Sequence, residues 1–382
     1  MLHHTRVALL ALTFASLGSV AGLAADDLPA NAKGGLPVKA KSAPPDLPFF
    51  FVVDDRVTFS YAPKATDPGT YSVNPNGTLN STTAIQVYSF THFDAWRYGT
   101  NLLNISMIKA DHNDPAGPCT NSGSILNPST FVSTSANCAG ATAAVGLLRS
   151  TFGWNELFET KTFTMGPLHN ISFEVGLDGA TTNYYRAATG QAVSGGLQFA
   201  FDLPYKGYLN VAPMATWVYS AQMAFLQCGS GFAPNTPGIG CLNDGTRSYK
   251  PTWAIETNYY MDLGFLPESV RYFSISGRAA WTGTMGTENN PLPYNPLPLV
   301  RPTNSMTAIQ LNSEPIRLTF DASKAVWGPK YSHFVDVWVA YRYWQNKFGL
   351  DHNVSWLCNV SPGVSNHTCT ESSLYSGITM KF

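Results

Sequence analysis

Charge is scarce in this chain. Asp, Glu, Lys and Arg together make up 12% of its 382 residues, roughly half the usual share in soluble domains. The formal net charge of −1 gives no reason to expect a nucleic-acid polymer as partner. Long apolar runs are missing as well. The stretch 7–17 is too short to cross a bilayer as a helix, and no other segment approaches the required length. The chain lacks Cys-x-x-Cys, and its cysteine spacings fit no zinc motif. It also lacks Gly-x-Ser-x-Gly, a P-loop and His-Glu-x-x-His. No metal, no cofactor and no enzymatic activity is expected.

What the chain does have is aromatic. Phe, Trp and Tyr reach 13%, with 18 Tyr and 22 Phe, in a composition that is 44% hydrophobic. That balance suits a surface facing hydrocarbon, with aromatic girdles at its two interfaces. The last residues alternate. Leu374, Ser376, Ile378, Met380 and Phe382 share one face, and Tyr375, Gly377, Thr379 and Lys381 the other. At the start, His3, His4 and Arg6 precede the apolar run, and 21–24 supplies small residues before a cut near Ala24. Residues 1–24 therefore read as a secretory signal, with an N-terminal core helix as the competing reading. Residues 25–48, rich in Ala, Pro and Lys, read as a flexible periplasmic lead-in. An exported chain ending on an outward-phased aromatic predicts a bacterial outer-membrane β-barrel over 49–382. Its partners would be outer-membrane lipid, lipopolysaccharide and the barrel assembly machinery, which reads Phe382. Oligomeric state stays open.

From Phe49 onward the chain alternates in bursts of about ten residues, the length of a tilted membrane strand. The bursts are 50–61, 84–93, 100–110, one within 147–164, 169–178, 194–202, 208–219, 251–263, 271–283, 314–322, 332–346 and 372–382. The Ala-rich segment 139–147 is compatible with a short helix. The expected fold class is all-β: a single closed antiparallel transmembrane barrel of about twelve strands. With the N-terminus in the periplasm, short connections fall on the periplasmic side and long loops outside. Cysteines occupy three of those long loops. Local pairing is expected, Cys119 with Cys138, Cys228 with Cys241 and Cys358 with Cys369, from the several connectivities that six cysteines allow. Each closure is worth about 3 kcal/mol on the chain-entropy model.

Alternation also sorts lipid-facing from lumen-facing side chains, because a basic residue costs about 2–4 kcal/mol at a lipid-facing midplane. Placed inward are Tyr88, Phe90 and His92; Glu174; Glu256 and Tyr260; Arg278; Arg317; and Asp336, Trp338, Arg342 and Trp344. His333 takes the outward phase. One reading has the opposed charges simply pairing across a wet core. The other makes the set a path for a small, uncharged, partly aromatic solute, with rings to stack on and polar groups to bind hydroxyls and ring nitrogens.

Two segments carry a family resemblance. Tyr88-Ser89-Phe90-Thr91-His92-Phe93-Asp94-Ala95-Trp96-Arg97-Tyr98-Gly99 is similar to an aromatic strand closing on an Asp-Trp tight turn. Ala340-Tyr341-Arg342-Tyr343-Trp344 is similar to a penultimate Ala-Arg-Tyr-Trp strand. Both resemble the nucleoside-specific outer-membrane channel (Tsx-like) family. That resemblance implies a monomeric barrel passing nucleosides through a narrow aromatic and ionisable channel. The Cys-bearing loops and the Pro-rich 284–312 stretch depart from the pattern. The alternatives are a general or differently selective porin, for sugars or aromatic acids, and a non-transporting surface barrel whose stapled loops bind a partner.

Overall fold

Two-residue alternation is stable only where one face of a strand meets water or packed interior and the other meets something apolar. Such segments dominate the chain. A computed structural model describes residues 49–382, except 69–70, 74–75, 111–118, 122–123, 127–132, 136–141, 183–188, 222–246, 287–307, 356–357 and 362. The expected signal 1–24 and lead-in 25–48 lie outside the described residues.

Twelve strands form the wall: β1 (Phe50–Ala65), β2 (Thr83–Trp96), β3 (Gly99–Ala110), β4 (Thr142–Gly153), β5 (Leu168–Thr182), β6 (Thr189–Leu203), β7 (Gly207–Ala221), β8 (Thr252–Asp262), β9 (Phe273–Thr282), β10 (Gln310–Asp321), β11 (Val335–Gln345) and β12 (Thr370–Lys381). Each pairs antiparallel with its neighbours in sequence. The ring closes where β1 meets β12, in a register running from Arg56↔Lys381 to Tyr61↔Ser376. A closed antiparallel barrel is what the sequence predicts.

The two faces separate cleanly. On β1, Val57, Phe59 and Tyr61 point outward and stay exposed, while Arg56, Thr58, Ser60 and Ala62 are buried inside. Inward positions are rich in small hydroxyl and amide groups that satisfy one another between strands. Thr58 and Thr379 hydroxyls lie 2.9 Å apart, Ser89 and Ser106 lie 2.8 Å apart, and Asn104 Nδ2 donates to Thr91 Oγ1 at 2.8 Å. An apolar cluster that includes Val87, Phe93, Leu102 and Leu147 fills the space beside them.

The ends of the cylinder differ. At one end β2 turns into β3 through residues 97–98 and β6 into β7 through 204–206. Three other connections there, 154–167, 263–272 and 322–334, are longer, and the first and last each carry a short helix, Trp154–Leu157 (α1) and Ala322–Trp327 (α2). At the other end the connections are 66–82, 111–141, 183–188, 222–251, 283–309 and 346–369. The link 183–188 is shorter than expected because β5 and β6 both run further than their alternation suggested.

The segment 139–147 yields no helix among the described residues. Its described part opens β4, with Val145 and Leu147 turned inward and partners on both sides, β3 and β5. Pairing outweighs alanine's helical preference. Cys358 and Cys369 are bonded as expected, with Cα atoms 5.4 Å apart. Cys138, Cys228 and Cys241 lie outside the described residues, and so do the pairings expected of them, including that with Cys119.

Candidate functional site

The interior has two unlike halves. Along β9–β12 and β1, oppositely charged side chains neutralise one another. A register shift in β10 between Ser313 and Ile316 brings Glu314 and Arg317 to the same inner face, and Arg317 Nε donates to Glu314 Oε1 at 2.8 Å. The Arg317 guanidinium also lies 3.9 Å from the centre of the Trp338 ring, whose Nε1 donates to Thr379 Oγ1 at 3.1 Å. Arg342 Nε donates to Glu371 Oε1 at 3.0 Å, and Lys347 binds the other oxygen of the same carboxylate. Trp344 is flanked by both cations, Arg342 at 5.0 Å and Lys347 at 4.3 Å. Lower in the wall, Arg56 Nε donates to Asp54 Oδ1 at 2.5 Å, and Lys381 binds Asp54 too. Glu314, Arg317, Trp338, Arg342 and Trp344 are at most 3% exposed. On this side the pairing reading holds.

The opposite half, from β2 round to β8, holds a cavity of about 210 Å³. That exceeds the roughly 150 Å³ of an apolar cavity that accepts benzene. Phe93, Leu102 and Leu147 supply its apolar side, and Glu174, Glu256 and Gln198 its polar side. Arg149 organises the polar side. Its Nη2 donates to Asp178 Oδ2 at 3.0 Å and to Glu256 Oε1 at 2.7 Å, while its Nε donates to Glu256 Oε2 at 3.0 Å. Gln198 Nε2 donates to Glu174 Oε2 at 3.1 Å. Tyr208 and Tyr260 stack at the edge, 6.2 Å between ring centres.

Of the residues expected inside, Glu174, Glu256, Tyr260, Arg278, Arg317, Asp336, Trp338, Arg342 and Trp344 all face the lumen. Only Glu174 and Glu256 of that set line the cavity. Tyr88, Phe90 and His92 do not face inward. β2 has the opposite phase, with Val87, Ser89, Thr91 and Phe93 inside. Small hydroxyls hydrogen-bond to β3 there, whereas Tyr88 packs against Phe59 on the outside at 5.3 Å and donates its hydroxyl to Gln86 at 2.8 Å. His92 is tolerated on the outer face because Asp55 holds Nδ1 at 2.7 Å and Asp94 holds Nε2 at 3.3 Å.

His333 does not sit on β11 in an outward phase. It belongs to the 322–334 connection with a left-handed backbone (φ 60°). Its Nδ1 lies 3.1 Å from Asp336 Oδ2 and its Nε2 3.4 Å from the Tyr260 hydroxyl. Asp321, His333 and Asp336 offer ligand atoms within 4.8 Å of one another. Asp321, however, is engaged by the turn. It accepts from the Lys324 amide at 2.8 Å, the Ser332 hydroxyl at 2.6 Å and the His333 amide at 2.9 Å. The trio works as a clasp that shapes the connection. Burial pulls the His333 pKa down, but the hydrogen bond and charge of Asp336, with the charge of Asp321, outweigh it and the opposing Arg56, so it ends above its ordinary value.

Sequence reasoning missed Arg149, Glu314, Lys347 and Glu371. Arg149 lies in the least regular strand, Glu314 is displaced by the bulge, and Glu371 falls just before the expected start of β12. One signal was available for Glu371, since carrying the β12 alternation back from Ser373 puts it inside.

No family model matches the chain, and no curated protein does. Among solved structures it is similar to an outer membrane channel from Pseudomonas putida F1, at 10% identity over 90% of this chain and 100% of that one, with a TM-score of 0.41. It is also similar to the β domain of the Bordetella autotransporter BrkA, at 8% identity over 86% and 99%, TM-score 0.35. LpxR from Salmonella typhimurium is similar at 10% identity over 86% and 100%, TM-score 0.35. At that distance neither a solute nor a reaction passes from those proteins to this chain.

Proposed function

We propose that the protein is a bacterial outer-membrane channel through which small hydrophilic solutes pass passively. The observation that carries this reading is the closed cylinder itself, apolar outside and polar within, with a solute-sized cavity in its lumen. Outward side chains such as Phe59, Ile105, Val175, Trp253, Val339 and Ile378 are exposed and apolar, which suits lipid. Aromatic clusters gather at the end with the tight turns: Trp96 stacks on Phe49 at 5.6 Å, and Trp154 packs against Phe163 at 5.0 Å. Such a girdle marks a membrane interface. The end with the long loops would then face outward from the cell.

Nucleosides are the proposed solute. The segment Ala340–Trp344 resembles that family's penultimate strand, and its Arg342 and Trp344 face inward. The cavity offers amide and carboxylate partners for a sugar and base, and apolar side chains for a flat ring. Single-channel conductance in planar bilayers, with and without adenosine or thymidine, tests both levels. Conductance blocked by nucleosides supports the full reading. Conductance indifferent to every nucleoside leaves a porin of other selectivity, and no conductance removes the channel altogether, favouring a surface barrel that binds through its loops.

A further inference from the structure

Within the cavity the charges do not balance. Four carboxylates line it, Glu156, Glu174, Asp202 and Glu256, against a single guanidinium, Arg149, and one imidazole, His169. His169 is already within 3.2 Å of Asp202, and Asn170 Nδ2 donates to Glu156 at 2.6 Å. Arg149 is fully committed. Its Nε and Nη2 serve Glu256 and Asp178, and its Nη1 donates to the Leu148 carbonyl at 2.9 Å.

Glu174 is what remains. It is 4% exposed, and among the described residues its only hydrogen bond is the one that Oε2 accepts from Gln198. It has no ion pair among them, while the carboxylates of Asp178 and Glu256 share the Arg149 guanidinium. A buried carboxylate with so little compensation is costly, and the cost falls when a cation occupies the space beside it. In the same lining, Phe93, Leu102 and Leu147 would cover a flat apolar body.

We propose that this cavity is a binding site for a small organic cation, an amine or amidine carried on a ring, with Glu174 as its counter-ion. The proposal deepens the channel reading, because it assigns a charge preference to the lumen that solutes would cross. Neutral ring solutes fit the same space with less gain, and anions meet the carboxylates.

Isothermal titration of the full-length barrel in detergent tests it with benzamidine, its neutral relative benzamide, and benzoate. Benzamidine is expected to bind about tenfold or more tightly than benzamide, a difference of roughly 1.4 kcal/mol, and benzoate not at all. Glu174→Gln should lower benzamidine affinity by about tenfold and leave benzamide unchanged. Equal affinity for the amidine and the amide, or an undiminished Glu174→Gln variant, overturns the proposal. Should the variant fail to assemble, the three-ligand series on the unaltered protein still decides. Conductance measured in parallel separates the two readings. Binding without conductance rejects the channel and keeps the site, whereas conductance without charge preference rejects the site alone.

Discussion

Trp338 ties the inner wall together at the scale of single residues. Its indole is roofed by the Arg317 guanidinium, donates to Thr379 and meets Tyr375 edge-on at 5.2 Å. It also lies across Gly377, where a Cβ would run into the indole and stand 2.6 Å from the Phe59 carbonyl oxygen. Only glycine lets the ring lie flat against β12. Trp338→Ala should therefore cost about 3–5 kcal/mol, as truncation of buried aromatics does, read from urea unfolding in lipid vesicles. Tyr88→Ala, on the outer face, should leave solute block unchanged in the same conductance assay used for function. A Tyr88→Ala barrel that lost block would put β2 back in the opposite phase. The Arg342–Glu371–Lys347 group follows the same logic as Trp338: removing one partner strands a buried charge, which costs more than the pair contributes.

Strands as elements were largely legible, because one lipid-facing and one polar face impose a period of two. β8 and β11 were sorted correctly since each carries charges on only one phase. β2 misled because its outward phase contains Gln86 and His92 and its inward phase contains Val87 and Phe93. Polarity alone chose the wrong face. Ser89 and Thr91 carried the correct signal, as small hydroxyls suited to a crowded interior. The bulge in β10 was invisible for another reason: alternation counts residues, and an extra residue resets the count without changing composition. Pro315, which has no amide hydrogen to donate, is the local mark of that break. Of the cavity, two of its carboxylates were legible, but not the arginine that consumes one of them. The 322–334 connection yields a pH test. The pKa of His333 is raised in the folded protein, so its stabilising contribution is complete below the ordinary histidine value. The contribution fades as pH climbs through the raised one. Thermal midpoints measured from about pH 5 to about pH 9 should fall further for the parent than for His333→Gln. Parallel curves for the two would remove the clasp of Asp321, Asp336 and Tyr260 as its cause.

At the scale of the whole molecule, the loop 346–369 binds one mouth of the cylinder to its wall. Lys347 reaches the Thr66 carbonyl at 2.7 Å as well as Glu371, the Phe348 amide donates to Gln310 Oε1 at 2.7 Å, and Leu350 has no exposed surface. The Cys358–Cys369 bond closes the 358–369 part of this loop. Replacing both cysteines by serine should reduce stability by up to about 3 kcal/mol, with the strands of the wall still formed by circular dichroism. A change in conductance noise without a change in unfolding midpoint would assign the bond to the mouth rather than to the wall.

Because β1 hydrogen-bonds to β12, the earliest wall segment to emerge from a ribosome must wait for the latest before it has its second neighbour. Nothing can be completed in instalments. Every partly made chain presents two bare hydrogen-bonding edges with an oily flank between them, open to edge-to-edge pairing with another copy until the last strand docks.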